Sequence, residues 1–183
     1  MAEWKESMTL EIKDINDFSK EELRGLLRDA AVNWLAHDGL WFRAVEDTFG
    51  LEAAMKLDGM AWEKFTVIEA KRIMKRIGLP EGGGLPALVE ALKFRLYAYI
   101  NVQETIEVGP DRIVFRMLDC RVQSARERQD LASFPCKPIG IIEYGGFART
   151  IDPRIETRCL NCPPDPKTAG AWCAWEFTIP DKV

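Results

Sequence analysis

Five of the 183 residues are cysteines, and four of them are spaced so that their thiolates can meet at one metal ion. Cys159-Leu160-Asn161-Cys162 has the C-x2-C spacing that lets two sulfurs reach a tetrahedral ion from a tight turn. Pro163 and Pro164 stiffen the exit from that turn, and Cys173 follows at a hairpin's reach. Cys136 comes just after Phe134-Pro135, in a segment that proline keeps extended or turned. Four thiolates suit zinc, whose filled d-shell imposes no geometry, and such a closed set is structural rather than catalytic. The spacing therefore predicts a zinc site made by Cys136, Cys159, Cys162 and Cys173. The competing reading leaves Cys136 and Cys173 as buried, inert, small hydrophobes. A thioredoxin-like redox pair is disfavoured, because the C-x2-C precedes two prolines and not a strand-to-helix junction.

The fifth cysteine offers different chemistry. Cys120 ends an expected strand and opens an arginine-rich helix, Cys120-Arg121-Val122-Gln123-Ser124-Ala125-Arg126. Free N–H groups at a helix start attract anions and lower a thiol's pKa. A nucleophilic Cys120 needs a base, and His37, the single histidine, is the one the chain supplies. Cys120 and His37 are thus the candidate catalytic pair. On a helix His37 shares a face with Trp34 and Trp41, which equally suits a hydrogen-bonded histidine at the edge of an aromatic core. Arg121 and Arg126 can clamp a carboxylate through the guanidinium fork, with Gln123, Tyr144 and Asp152 able to join them. Trp41, Glu46 and Glu69 are the candidate ligand contacts from the first half of the chain. The bland alternatives are a solvated basic helix face and solvated glutamates. No Glu-x-x-His pair exists, which argues against two-metal carboxylate chemistry.

These residues need elements to hold them. Ser19-Lys20-Glu21-Glu22 fits a capping box, and apolar residues then recur at helical spacing from Leu23 to Trp34. Asp38-Gly39 is expected to bend or break that helix before the pattern resumes to Phe49, with Gly50 as its cap. A second long helix is expected over 51–77, and a third from Pro86 to Tyr99 after the turn at Gly82-Gly83-Gly84. The period then changes. Residues 103–108 and 112–118 read as a hairpin around Gly109-Pro110-Asp111, 120–131 and 139–149 as helices, and 171–179 as a closing strand. In that strand Cys173, Trp175 and Phe177 share a face.

Composition bounds the rest. With 47% hydrophobic and 30% charged residues the chain is ordinary globular material, and a net charge of -4 argues against nucleic acid as the main partner. No apolar run approaches a membrane span, and Met1-Ala2-Glu3-Trp4-Lys5-Glu6 lacks a signal-peptide layout, so a cytoplasmic location is expected. Five cysteines cannot all pair within the chain, in keeping with reduced thiols.

Cys136, Cys159-x2-Cys162 and Cys173-Ala174-Trp175-Glu176-Phe177 together resemble the vinyl-4-reductase-like sensor domains, whose zinc site has comparable spacing. There an acidic residue usually stands where this chain has Cys159. The same half, through Cys120, Asp152 and the terminal Cys-x-x-x-Phe strand, looks like the L-2-amino-thiazoline-4-carboxylate hydrolase family. His37-Asp38-Gly39-Leu40-Trp41-Phe42, Glu69-Ala70-Lys71-Arg72-Ile73 and the Cys120–Arg126 stretch resemble uncharacterised prokaryotic cytosolic proteins. The sensor resemblance implies pairing as homodimers. The expectation is an α+β fold: an N-terminal helical bundle (1–100) packed on a small, mainly antiparallel sheet with flanking helices (101–183), its C-terminal region stapled by zinc. Its expected partner is a small aromatic or carboxylate-bearing molecule between the lobes. The alternative is a hydrolase acting on a small C–N or C–S ring compound.

Overall fold

A computed structural model describes residues 14–180, so Met1 to Glu6, read above for a leader, lie outside the described residues. The chain opens with two long antiparallel-packed helices, α1 (Lys20–Phe49) and α2 (Leu51–Ile77). The capping box forms as expected: the Glu22 N–H donates to Ser19 Oγ at 3.2 Å, and the Ser19 N–H donates to Glu22 Oε2 at 2.8 Å. Gly50, at φ 87°, ends α1 and starts α2 in a single residue, a conformation favouring glycine. The expected break at Asp38-Gly39 does not occur, since α1 runs continuously through it. One helical glycine costs about 1 kcal/mol, which the apolar spacing on both sides of Gly39 outweighs.

The helix expected from Pro86 to Tyr99 divides into α3 (Gly84–Leu92) and a 3-10 turn over Leu96–Tyr99. Between them Arg95 takes an extended backbone and buries its side chain, 2% exposed. The hairpin follows as β1 (Val102–Gly109) and β2 (Arg112–Asp119). Then come the short α4 (Arg121–Glu127), α5 (Lys137–Ile151), β3 (Glu156–Asn161) and β4 (Cys173–Thr178). The four strands form one antiparallel sheet in the order β1-β2-β4-β3. The fold is therefore α+β, with the helical first half and antiparallel sheet that the sequence suggests.

One core runs through both halves. Ala70, Ile73 and Met74 of α2 and Leu85, Leu88 and Leu92 of α3 meet Tyr144, Phe147 and Ile151 of α5, which in turn meet Phe115, Trp175 and Phe177 of the sheet. Gly140 makes the close approach of α5 to the sheet possible: a Cβ there would stand 2.5 Å from the Trp175 ring. Buried Arg95 pins the helices to α5. Its guanidinium lies 2.9 Å from Glu69 Oε2 and 2.7 Å from Glu143 Oε1, with the rings of Phe147 and Tyr97 at 4.9 and 5.2 Å. Among the described residues no helix is long and apolar enough to cross a membrane.

Candidate functional site

Strand register gathers the cysteines. Met117 of β2 pairs with Cys173 of β4, so Cys120, three residues on, lies at the same end of the sheet. On the other side Cys159 pairs with Trp175, and an irregularity between Cys159 and Asn161 carries Cys162 off the strand end. The C-x2-C is therefore a strand and its exit, not the expected tight turn, because its first member is committed to the β3–β4 ladder. The Asn161 side chain secures this exit by donating to Trp172 O at 3.2 Å. The Lys137 N–H donates to Pro163 O at 2.9 Å, which sets Cys136, at the start of α5, against the residues after Cys162.

The result is a thiol cluster. Buried Cys162 lies near Cys136 and Cys173, and those two side chains, with burial adding to them, push its thiol far above the ordinary range. Cys173 is held below that range by its bond with Cys162, with the Trp175 indole N–H adding to the effect. Gln123, 1% exposed, donates from Nε2 to Cys136 Sγ at 2.9 Å. Cys159 is half-buried, and burial raises its thiol while Lys137 opposes the shift. Among the described residues no group of three or more His, Cys, Asp or Glu side chains is arranged to hold a metal ion.

Cys120, Cys136, Cys162 and Cys173 also line a cavity of about 470 Å³. Its opposite wall is α1 and α2, through Leu35, Phe42 and Trp62, and its floor is α5 and the sheet, through Ile139, Tyr144 and Trp175. The lining is mostly apolar. Three carboxylates line it: Glu143 of α5, paired with Arg95, and Asp38 of α1 and Asp58 of α2, neither of which has an arginine or lysine partner among the described residues. Burial, with Asp38 and Glu143 adding repulsion, pushes the Asp58 carboxyl up to about 7. Asp38 shifts upward too, chiefly by burial.

The residues expected from the sequence divide sharply. Arg121, Arg126 and Tyr144 line the cavity. Arg126 is pinned, donating from Nε to Ala132 O at 2.6 Å, with Glu46 at 3.7 Å. Glu46 also pairs with Arg43 at 3.0 Å, and Glu69 is taken up by Arg95. Trp41 is 67% exposed and faces a separate small hollow beside Val45 and Leu57. Gln123 turns to the thiols and to the Phe134 backbone rather than to the cavity. His37 is exposed on α1 and does not line the cavity. Cys120 does line it, but the expected lowering of its thiol pKa is reversed. Burial pushes it up to about 12, outweighing the N–H groups of Gln123 and Val122 at the start of a helix of only seven residues. Asp152 is fully buried and structural, accepting from the Gly84 N–H at 3.0 Å and pairing with Arg154.

Sequence reasoning passed over Asp58. The signal was present: a lone acid one turn before Trp62, on a helix stripe that includes buried Gly59. No curated protein and no solved structure matches the chain, so neither the sensor-domain nor the hydrolase resemblance has a match behind it. Residues 16–179 match a family described as "Family of unknown function (DUF6125)". The chain belongs to that family.

Proposed function

We propose that this protein is a zinc-stabilised binding module that holds a small aromatic molecule in the cavity between its helices and its sheet. The observation that carries the reading is the convergence of Cys136, Cys162 and Cys173 on the wall of one largely apolar cavity. In this reading zinc is held by those three thiolates together with Cys159, the fourth member expected from the spacing. The donor set fits the metal in kind. The Trp175 indole nitrogen, near Cys173, is buried with no hydrogen-bond partner among the described residues, and the Gln123 amide donates to Cys136 Sγ. Neutral thiols are weak acceptors, whereas metal-bound thiolates give such N–H groups a strong partner. Bound there, zinc would tie the start of α5 to the β3–β4 end; its role is structural.

The cavity suits an aromatic ring by its walls and a polar group by its edges. Exposed Arg121 and Arg128 offer a carboxylate a partner, and Asp38 and Asp58 offer one to an N–H donor. Exposed apolar residues on α1 and α2, among them Leu26, Leu57, Met60 and Ile68, support pairing with a second copy. A hydrolase is less well supported, because His37 lies away from Cys120's cavity and the Cys120 thiol is held protonated.

Native mass spectrometry of untagged protein tests all three parts at once. The expected spectrum carries about one zinc per chain, a co-purified small molecule and a dimer mass. Metal-free chains from cells grown with zinc would overturn the zinc reading. A chain that no aromatic amine, acid or neutral aromatic compound stabilises would overturn the cavity reading.

A further inference from the structure

Gln123 stands out as a side chain whose hydrogen bonds are disproportionate to a helix-surface residue. It sits in the middle of α4, is 1% exposed, and makes three contacts outside its own helix. Its Oε1 accepts from the Phe134 N–H at 3.0 Å, and its Nε2 donates to Phe134 O at 2.8 Å. The same Nε2 donates to the sulfur of Cys136 at 2.9 Å. The first two contacts hold the 131–136 loop, and a glutamine serves for that alone. The third aims a buried N–H at sulfur, a weak acceptor unless it carries charge. Trp175 supplies a second buried donor: its indole nitrogen, near Cys173, has no hydrogen-bond partner among the described residues. Trp175 thus leaves a buried donor unmet, and Gln123, whose nitrogen already serves Phe134 O, has a further contact with the same group of sulfurs.

We propose that Gln123 and Trp175 are the outer-shell positioning residues of a metal–thiolate centre, each donating one N–H to a sulfur ligand, Gln123 to Cys136 and Trp175 to Cys173. The inference rests on the zinc reading given above and adds to it the residues that set the centre's affinity. Thiolate ligands place excess negative charge in an apolar interior, and N–H donors spread that charge and fix each sulfur's direction. Gln123 has a second consequence through its helix. Val122, Ala125 and Arg126 of α4 line the cavity while Gln123 touches the cluster, so one seven-residue helix faces both.

The test measures zinc affinity by chelator competition in the full-length protein, with the absorption of the cobalt-substituted protein as a second readout. Two substitutions probe the roles of Gln123. Gln123→Glu keeps an oxygen for the Phe134 N–H but replaces the donor on Cys136 with a carboxylate. Gln123→Leu removes both. Gln123→Glu also loses the donor to Phe134 O. If the residue merely holds the loop, both variants therefore lose affinity through it, but the sulfur-to-cobalt band stays that of the parent. Trp175→Phe, which touches no loop contact, then binds zinc like the parent; that outcome would overturn the proposal. The proposal expects both to weaken zinc binding by about 10–100-fold, Gln123→Glu at least as much, with a shifted sulfur-to-cobalt band. Trp175→Phe, which keeps a ring to stack on Tyr144, is expected to shift the same band and guards against a Gln123 variant that fails to fold. Zinc affinity within about threefold of the parent in Gln123→Glu and Trp175→Phe, with an unchanged cobalt band, would overturn the proposal while leaving the zinc reading standing. A parent protein that binds neither zinc nor cobalt would overturn both.

Discussion

Two sets of acids lie near Trp62, and they have been treated in opposite ways. Glu69 and Glu143 share the buried guanidinium of Arg95, at 2.9 and 2.7 Å, and four aromatic rings surround that cation. Asp38 and Asp58, on the cavity side, have no such cation, and Asp58 is pushed up to about 7 in consequence. The first set has its cation: one buried guanidinium serves both carboxylates, although Glu143 also borders the cavity. The second is open, and its desolvation is offset only in part, by the Trp62 side chain at Asp58 and by His37 at Asp38. A fold tolerates the first for architecture. The second lowers stability, as groups kept for binding commonly do.

The comparison can be broken most forcefully at Arg95. Arg95→Met strands Glu69 and Glu143 in the interior and is expected to destabilise by about 3–5 kcal/mol, read as a lowered urea midpoint. A loss as small as that of a surface substitution would mean the paired set is not what joins α2 to α5.

The opposite sign is expected on the open side. A carboxyl with its folded pKa raised to about 7 ionises in the unfolded chain near 3.9, so the wild type loses stability as pH rises through that window. Asp58→Asn removes the penalty. It should be more stable than the parent by about 1 kcal/mol at pH 8 and show no advantage near pH 3. Melting temperatures of both proteins across pH would show a difference curve rising between those limits. A flat difference would place Asp58 in water.

Asp152 sharpens the contrast with a third treatment, in which one acid is used as a helix start. Arg154 and the Gly84 N–H hold its pKa down, to about 2. Its contribution is thus complete above the unfolded value near 3.9 and is lost as pH falls toward 2. Asp152→Asn should therefore differ from the parent at neutral pH and converge with it in acid. His37→Ala should give the smallest effect of all, within about 0.5 kcal/mol in stability and with no change in ligand response, because its side chain is exposed on α1.

Much of the frame was legible because local signals agreed with one another. Leu51 and Ile77 bound α2 as the apolar spacing and its flanking glycines imply, and Ser19 with Glu22 announces α1. What escaped reading was local signal overridden by distant contact. Arg95 breaks the expected third helix because its side chain is needed 26 residues back in sequence, at Glu69. β3 was hidden by its own cysteines. Thr157, Cys159 and Asn161 alternate with exposed Glu156, Arg158 and Leu160, a strand's period, yet the C-x2-C spacing points to a turn. α4 stops at Glu127 and not near Leu131, and at Asp130 the backbone takes φ 53° and turns away. For the site, cysteine spacing pointed to Cys136, Cys162 and Cys173, which line one cavity, but could not say that Cys120 joins them there while Cys159 does not. Register does that, and register is a property of pairs of strands.

Gly39 was introduced as a helix break that fails to happen. It borders the cavity, and a Cβ built on it meets nothing within 4 Å. The cavity is therefore bounded at that point by a residue with no side chain, on a helix that would gain about 1 kcal/mol from alanine there. A methyl group can be added at this position without displacing a neighbour. Gly39 thus acts as a sizing position: a lineage, or an experimenter, can retune which molecules fit by changing one codon while leaving the thiol cluster and the Arg95 clamp untouched.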